Sequence, residues 1–299
     1  MNEDELEQDR CCHWCDRCAG LRRGQRAEVT WTLRRPRITR DPSKYKGRAD
    51  EAVGGDLRDR ATLVRAFKDA HAVFAVSNFW EPGTDEVSQG TNAAQAAKEA
   101  GVAHFVWSTL PNVDDLSGGT IHVPHFTGKA KVDAVVRDAG FRHHTFVEAP
   151  FYFQNLTTVM APQPGPDGRK GWVLPLPSNA RCVHMGDVSE LGNLVAGALE
   201  QPDASSGRYL SLAGGLYSFD DVLGTLRELG HDLGYQQVPY EAFATFFPGA
   251  DEMAAMFRWF EKYTYFGPSA EAKVEAGRKL STAPFTTFAA WAAANMRTT

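Results

Sequence analysis

The sequence predicts an α/β fold: a doubly wound, mostly parallel sheet followed by a smaller C-terminal α/β lobe. From Ala61 onward, apolar runs of strand length alternate with amphipathic stretches of helix length, the pattern of successive β–α–β units. Two of the helical stretches end in a glycine, Gly101 and Gly140, directly before a strand. The 299 residues are 43% apolar and 23% charged, values typical of an ordinary globular protein.

The elements of the sheet half follow in order. Alanines on one face indicate a helix from about Ser88 to Ala100, and Gly101 ends it because glycine enters the left-handed region without strain. In chain order we expect a helix at 63–68, a strand at 72–76, the helix at 88–100, a strand at 104–108, a helix containing 133–136 and a strand at 145–147.

The C-terminal half predicts a second group of elements. Three prolines and two glycines at 162–168 cannot continue a helix or a strand, so we expect a surface turn where the chain leaves the sheet. Beyond it we expect a helix from Asp187 to Leu199 that Asp187 caps, a strand at 209–212, a helix from Ser218 and an apolar helix at 253–260. The predicted domains are an aberrant segment at 1–37, a sheet core at 38–156 and a smaller lobe at 157–299, partly interleaved with the core.

Charge and hydropathy exclude several classes of partner. The formal net charge is -5 and no long basic run occurs, so we expect no direct binding of nucleic acid or of an anionic membrane surface. Apolar stretches are of strand length, and the acidic opening of the chain lacks the regions of a signal peptide. We therefore expect a cytoplasmic protein.

The first forty residues depart from this pattern. A doubly wound sheet that binds a dinucleotide opens with a strand and a glycine-rich turn, because the backbone must approach the pyrophosphate closely. Residues 10–37 instead carry arginines, tryptophans and no apolar period. Four of the five cysteines cluster beside His13, at Cys11, Cys12, Cys15 and Cys18. One interpretation is a zinc or iron–sulfur knuckle.

A shifted reading frame is the other interpretation. Trp14 has the single codon TGG, which becomes GGT, a glycine codon, when read one nucleotide later before the T of a cysteine codon. The shifted text of 11–20 allows Ala-Val-Thr-Gly-Ala-Thr-Gly-Ala-Gln-Gly, and the frame rejoins at Ile38. The hypothesis is that a glycine loop, a helix and a second strand are encoded one frame away. Under this hypothesis the cysteine cluster is not a metal site.

Six motifs carry a resemblance to a known family. They are Thr-Arg-Asp-Pro at 39–42, Gly-Gly-Asp-Leu at 54–57, Ser-Asn-Phe-Trp-Glu at 77–81, His-Phe-Thr-Gly-Lys at 125–129, Pro-Phe-Tyr-Phe-Gln-Asn-Leu at 150–156 and Phe-Pro-Gly-Ala at 247–250. From about Ile38 to the C-terminal region, the chain resembles the NmrA-like family of atypical short-chain dehydrogenase relatives. The resemblance implies a Rossmann-like, dinucleotide-binding core at 38–156.

The resemblance implies NADP(H) as the cofactor. Arg40 follows the second strand, where a guanidinium can bind a ribose 2′-phosphate and an acidic residue would favour NAD. Asp56 and Leu57 resemble the adenine-contacting pair of the family, and Asp56 could equally cap a helix. Ser77, Asn78 and Phe79 lie at the carboxyl end of a strand, the edge where such sheets bind ligands.

The catalytic motif of short-chain dehydrogenases is incomplete. Lys129 resembles the lysine that binds the ribose and lowers the pKa of a tyrosine four residues earlier, but His125 occupies that tyrosine position. Imidazole could replace the phenol as a proton donor near neutral pH. Ser108 lies near the expected catalytic serine, and the segment Tyr152, Phe153, Gln154 and Asn155 resembles the residues near the nicotinamide.

Two functions follow from the resemblance. We expect a redox-sensing NADP(H)-binding regulator that acts through an unidentified protein partner, with a homodimer allowed. The alternative is an NAD(P)H-dependent reductase of quinones or carbonyl compounds, in which Lys129 or His125 assists protonation. A third interpretation is that the chain as written lacks the pyrophosphate cradle and binds no dinucleotide.

Overall fold

The computed structural model of the protein describes residues 36–39, 51–165 and 168–296. Its strands are β1 (Pro36–Thr39), β2 (Glu51–Gly54), β3 (Ala72–Ala75), β4 (His104–Thr109), β5 (His143–Glu148), β6 (Phe151–Tyr152), β7 (Gln163–Pro164), β8 (Lys170–Leu174), β9 (Val183–Gly186), β10 (Tyr209–Ser211), β11 (Gly215–Tyr217) and β12 (Gly234–Gln237). Its α-helices are α1 (Arg60–Ala66), α2 (Glu86–Glu99), α3 (Val113–Leu116), α4 (Pro124–Asp138), α5 (Leu191–Glu200), α6 (Pro202–Ser205), α7 (Phe219–Glu228), α8 (Tyr240–Phe243), α9 (Ala250–Tyr263), α10 (Ala270–Leu280) and α11 (Phe288–Asn295). Short 3₁₀ helices lie at Phe153–Thr157 and Val188–Glu190.

Four parallel strands form the central sheet in the order β10–β5–β4–β3. All six residues of β4 are buried, because helices cover both faces of the sheet. Phe105 and Trp107 face α1, α2 and α4, whereas Val106 between them faces α5 and α10. The predicted doubly wound α/β fold is confirmed.

Strands β1 and β2 pair with each other in parallel, with Ile38 opposite Val53, as a separate two-stranded sheet. The predicted degraded first strand and glycine loop fall before residue 36 and lie outside the described residues. The cysteine cluster also lies before residue 36, and Arg40, which follows β1, is likewise outside the described residues.

Most predicted elements of the sheet half are confirmed. Two helices begin earlier than predicted, because a capping residue sets the first residue of each. The helix predicted from Ser88 begins at Glu86, because the Asp85 side chain accepts a hydrogen bond from the Ser88 N–H over 3.0 Å. It ends before Gly101, whose φ is +79°. The short helix predicted at 63–68 begins at Arg60, where Asp59 supplies the cap.

The turn predicted at 162–168 is shorter than expected. Gln163 and Pro164 pair antiparallel with Gly171 and Lys170, so they form a two-residue edge strand before the chain turns. Proline is tolerated there because an edge strand does not use every N–H. Asp187 does cap the next helical segment, but its first turn is a 3₁₀ helix, and the α-helix starts only at Leu191.

The C-terminal half has its own core, to which the two smaller sheets, β11–β9–β6 and β12–β8–β7, contribute together with α7, α9 and α11. Residues from the sheet half join this core, among them Leu110, Ile121 and Phe126. Conversely, α5, β10 and α10 pack on the central sheet. The two cores thus interleave along the chain, and the domain boundaries at 38 and 157 stay a prediction. No helix in the described part is long and apolar enough to cross a membrane.

Candidate functional site

The carboxyl ends of β3, β4 and β5 meet at one edge of the central sheet. The register places Ala75 beside Trp107 and Trp107 beside Phe146. Ser77 therefore lies just beyond this edge, two residues after β3, while Ser108 is buried within β4. Sheets of this type bind their ligands outside the carboxyl ends of the strands. The segment that follows Ser77 is thus placed where the sequence predicts it.

A buried ion pair dominates this edge. Lys129 Nζ lies 2.8 Å from Glu86 Oε1, and it donates to the Ser77 carbonyl oxygen over 2.6 Å and to Ser77 Oγ over 3.0 Å. The Ser77 hydroxyl in turn donates to Glu86 Oε1 over 2.8 Å. The side chains of Lys129 and Glu86 are only 12% and 2% exposed. The three N–H groups of the ammonium thus meet three acceptors, all supplied by Ser77 and Glu86.

Close packing of α2 against α4 brings these groups together. Glu86 opens α2, and one turn later Gly90 lies where a Cβ atom would come within 2.6 Å of Val132 and 2.8 Å of Trp107. The absence of a side chain at Gly90 therefore lets the two helices approach. The Trp107 indole N–H donates to the Lys129 carbonyl over 3.0 Å, which fixes this turn of α4 against β4.

Gly128 gives the Glu86 carboxylate its space. A Cβ atom at Gly128 would lie 3.1 Å from Glu86 Oε2. That oxygen is buried and has no hydrogen-bond donor among the described residues. A buried carboxylate oxygen without a donor is costly, since the group has given up its hydration. Glu86 is therefore compensated through Oε1 alone, by Lys129 and Ser77.

His125 is held by the C-terminal lobe. Its backbone N–H donates to Glu252 Oε1 over 3.1 Å, and its ring Nδ1 bonds the same oxygen. The side chains of His125 and Glu252 are each 11% exposed. A hydrogen bond from Nδ1 to a carboxylate fixes the ring orientation and leaves Nε2 as the nitrogen that can meet a ligand. One carboxylate from α9 thus caps α4 and orients its imidazole.

Aromatic rings surround this imidazole. Phe79 and Trp80 lie 5.7 and 5.3 Å from the His125 ring, measured between centroids, and Trp80 is 54% exposed. Asn78 shapes the loop, because its Oδ1 accepts from the Trp80 N–H over 3.2 Å. The predicted residues Ser77, Phe79, His125 and Lys129 are therefore brought together at one edge of the sheet.

Asp56 and Leu57 lie in the loop after β2. Asp56 Oδ1 accepts from the Arg58 N–H over 2.9 Å, and the Leu57 carbonyl accepts from Asn92 Nδ2 over 2.9 Å. The interpretation of Asp56 as a helix cap is wrong, because Asp59 caps α1 through the N–H groups at the helix start. Asp56 is half-buried and keeps a carboxylate near the surface.

The segment from Tyr152 to Asn155 is packed more tightly than its predicted role suggests. Phe153 is fully buried among Phe288, Trp291 and Tyr217, so its side chain offers no surface to a ligand. Gln154 bonds the Asp187 carboxylate through Nε2 over 2.7 Å and accepts from the Val188 N–H.

The remaining two residues of that segment are in the same exposure class as Gln154. Tyr152 pairs with Gly186 and is partly buried, as are Gln154 and Asn155. Tyr152, Gln154 and Asn155 are therefore the members of this segment with side-chain surface available to a cofactor.

A second buried cluster lies one turn along α4. Asp133 is 4% exposed, and its Oδ2 accepts from the Tyr209 hydroxyl over 2.6 Å. Burial raises the pKa of Asp133 to about 7, although the Tyr209 hydrogen bond and the Arg137 charge offset part of the effect. Arg137 also donates to the Tyr209 hydroxyl.

Sequence reasoning missed three carboxylates that the structure places at or near the site. Glu86 and Glu252 each lie in the first turn of a helix, where acidic residues are common for electrostatic reasons and attract no notice. Asp133 lies on a helix face that reads as amphipathic. In the sequence, only the apolar neighbours Ala134 and Val135 hint that Asp133 is buried. Such neighbours do not distinguish a buried aspartate from an exposed one.

Comparison with protein families and curated proteins finds matches over most of the chain. A model of the NmrA-like family matches residues 38–292. An NmrA-like family domain-containing protein of Dictyostelium discoideum is 25% identical over 181 residues, which are 57% of this chain and 60% of that protein. The NmrA-like family domain-containing oxidoreductase hkm9 of Aspergillus hancockii is 25% identical over 277 residues, 82% of this chain and 81% of that protein.

Two solved structures share the fold. The negative transcriptional regulator NmrA in complex with NADP superposes with a TM-score of 0.72 at 22% identity, over 86% of each chain. The NADPH-dependent quinone oxidoreductase QOR2 of Escherichia coli, complexed with NADPH, superposes with a TM-score of 0.68 at 20% identity, over 87% of this chain and 89% of that one.

Proposed function

The chain belongs to the NmrA-like family, and from that premise we propose that it binds NADP(H) and reports the redox state of this cofactor to another protein. The regulator NmrA, whose fold it shares, has been solved with NADP. The output of the protein under this proposal is a contact with a protein partner whose affinity depends on the bound nucleotide.

The residues of the sheet edge fit the ribose and nicotinamide half of a dinucleotide. Lys129 is a charged donor beyond the carboxyl end of β3, and its Ser77 Oγ contact, at 3.0 Å, is the longest of its three. A ribose hydroxyl that takes the place of Ser77 Oγ would leave the other two contacts intact. Tyr152 and Asn155 supply the surface on the nicotinamide side. Arg40 would bind the 2′-phosphate, as the resemblance implies.

The observation that carries the regulatory proposal is the state of the two groups that a dehydrogenase would use. His125 stands in place of the catalytic tyrosine and is bonded to Glu252. Lys129, which would lower the pKa of that tyrosine, is paired with Glu86 instead. The bound dinucleotide supplies hydride chemistry, but the phenol that would deliver the accompanying proton is absent from position 125.

A reductase is the second candidate, and the His125–Glu252 contact favours it. A carboxylate that orients an imidazole is the arrangement by which histidine acts as a general acid near neutral pH. Under this proposal Nε2 of His125 delivers a proton to a carbonyl or quinone oxygen bound against Phe79 and Trp80. The relative hkm9 is named an oxidoreductase, and the structurally similar QOR2 is named a quinone oxidoreductase.

Binding and turnover measurements separate these proposals. Calorimetric titration of the full chain with NADPH and NADP⁺ measures affinity, and steady-state oxidation of NADPH with a panel of quinones measures turnover. The regulatory proposal expects binding without turnover. Turnover of ~10 s⁻¹, a rate typical of enzymes, would support the reductase instead. The reductase would be established if His125→Phe abolishes this turnover while NADPH still binds. Absence of binding to either nucleotide would contradict both proposals and favour a chain without a pyrophosphate cradle.

A further inference from the structure

The Glu86 carboxylate has a feature that the binding proposal does not use. Its Oε1 pairs with the Lys129 ammonium and accepts a hydrogen bond from the Ser77 hydroxyl. Its Oε2 is buried beside Gly128 and has no donor among the described residues. The carboxylate thus lies 2.8 Å from one ammonium at Oε1 and meets no donor among the described residues at Oε2. Together the two side chains form a neutral pair at the sheet edge.

The two redox forms of the cofactor differ at the ring that would lie nearest this pair. The oxidised nicotinamide is a pyridinium with a positive charge, and the reduced ring is neutral. If Lys129 binds the adjoining ribose, an uncompensated ammonium would repel the pyridinium and leave the reduced ring unaffected. A nearby carboxylate that cancels the ammonium removes this discrimination.

We propose that Glu86 sets the balance of affinity between the oxidised and reduced dinucleotide, by cancelling the Lys129 charge beside the nicotinamide. The inference rests on the proposed binding of NADP(H) and adds the residue that governs which redox form is bound. Glu86 is a positioning residue in this role, since it acts through Lys129. The quantity it controls is the ratio of the Kd for NADP⁺ to the Kd for NADPH.

Substitutions that change the net charge of the pair test the proposal. In wild type the Lys129–Glu86 pair has a net charge of zero, and Glu86→Gln leaves the ammonium uncompensated. In the double variant Glu86→Gln with Lys129→Met, the two positions are again neutral. Isothermal titration at pH 8 with NADP⁺ and with NADPH gives both constants. We expect Glu86→Gln to raise the ratio by about fivefold, the scale of one unit charge across a partly solvated site. The double variant should return it to within about twofold of wild type.

Two further variants separate charge from structure. Glu86→Asp keeps the charge and should keep the ratio, even if both affinities fall. Glu99→Gln removes a charge from the far end of the same helix, where the side chain is 50% exposed and pairs with Arg60, and should also leave the ratio unchanged. Circular dichroism verifies that each variant is folded before titration.

Each outcome decides the proposal. A rise in the ratio for Glu86→Gln that the double variant reverses supports it. An equal change in both constants would show that Glu86 only maintains the fold and would overturn it. If Glu86→Gln does not fold, Lys129→Met carries the test: removal of the ammonium should not raise the ratio, and a raised ratio would overturn the proposal. If wild type binds neither nucleotide, the proposed function fails, a result distinct from an unchanged ratio with binding intact.

Discussion

Glu252 bonds both the backbone N–H and the ring Nδ1 of His125, so one carboxylate oxygen joins two helix N-termini that lie 127 residues apart in the chain. His125 is in the first turn of α4, which carries Lys129, and Glu252 is in the first turn of α9, in the C-terminal lobe. The contact therefore couples the position of the lobe to the helix that supplies the candidate ligand-binding lysine.

We expect Glu252→Gln to destabilise the protein by about 1.5–3 kcal/mol, the contribution of hydrogen bonds to a charged group. The control is Asp251→Asn, which removes an exposed acidic residue from the same turn of α9. Both substitutions lose the same favourable interaction with the helix dipole, so their difference reports the His125 contact. Urea unfolding measures both, and equal effects of the two substitutions would show that the contact contributes nothing.

Gly128→Ala tests the space around Glu86. Alanine favours a helix over glycine by about 0.8–1 kcal/mol, but the new Cβ would lie 3.1 Å from Glu86 Oε2 and displace the carboxylate from Lys129. Gly224 in α7 is the matched control, because a Cβ atom there meets nothing within 4 Å. We expect Gly224→Ala to raise the free energy of unfolding by the helix-propensity amount and Gly128→Ala to be neutral or destabilising. Equal gains in thermal and urea unfolding would show that Glu86 is not confined.

Asp133 should make the stability of the protein fall as the pH rises. Its pKa is about 7 in the folded protein and near 3.8 when unfolded, so between these values the folded state holds a proton that the unfolded state releases. The stabilisation is complete below pH 3.8 and is lost as the pH rises through 7. Between pH 5.5 and 8.5 wild type should lose about 2 kcal/mol that Asp133→Asn does not lose.

Urea unfolding of wild type and Asp133→Asn at these two pH values gives the difference directly. Asp138→Asn, at the exposed C-terminal end of the same helix, controls for removal of a charge alone. The substitution should therefore look more favourable at pH 8.5 than at pH 5.5. A difference that does not change with pH would mean that Asp133 is ionised throughout this range.

The sequence predicts the sheet well because the relevant forces are local. Gly101 ends a helix and Ser218 caps one, with a capping box to Asp221, wherever the rest of the chain lies. The apolar run of Phe105, Val106 and Trp107 within β4 reflects burial on both faces. These features depend on neighbours within a few residues, so composition and spacing are sufficient to predict them.

The candidate site is only half predictable, for a physical reason. Ser77 and Lys129 follow from motifs, but their partner Glu86 is selected by the packing of α2 on α4, which the missing side chain at Gly90 permits. Phe153 is a different case: its motif implies a place near the nicotinamide, which stays a prediction, and the C-terminal core buries its side chain completely. Contacts between elements distant in the chain decide both cases, and no local pattern encodes them.

His184 provides a final test, in which the stability of the protein should fall as the pH drops. It is 4% exposed in β9, its ring centroid lies 5.0 Å from that of Phe266, and its Nδ1 has no hydrogen-bond partner in the described part of the chain. Burial, with smaller effects of Lys273 and Arg278, lowers its pKa to about 4. Below pH 6.5 the unfolded state takes up a proton that the folded state does not, so stability falls as the pH drops from 6.5 towards 4.

His184→Phe should remove both penalties, since phenylalanine has a similar shape and no orphaned nitrogen. We expect the variant to gain about 1 kcal/mol at pH 7, the lower limit for an unsatisfied buried polar group. The gain should widen by about 2 kcal/mol at pH 5, because the variant lacks the proton uptake of the unfolded histidine. Urea unfolding at the two pH values measures the gap, and His104, whose pKa is likewise lowered by burial, contributes equally to both proteins. A gap that stays constant or narrows at pH 5 would mean that His184 takes up a proton in the folded protein as readily as in the unfolded chain.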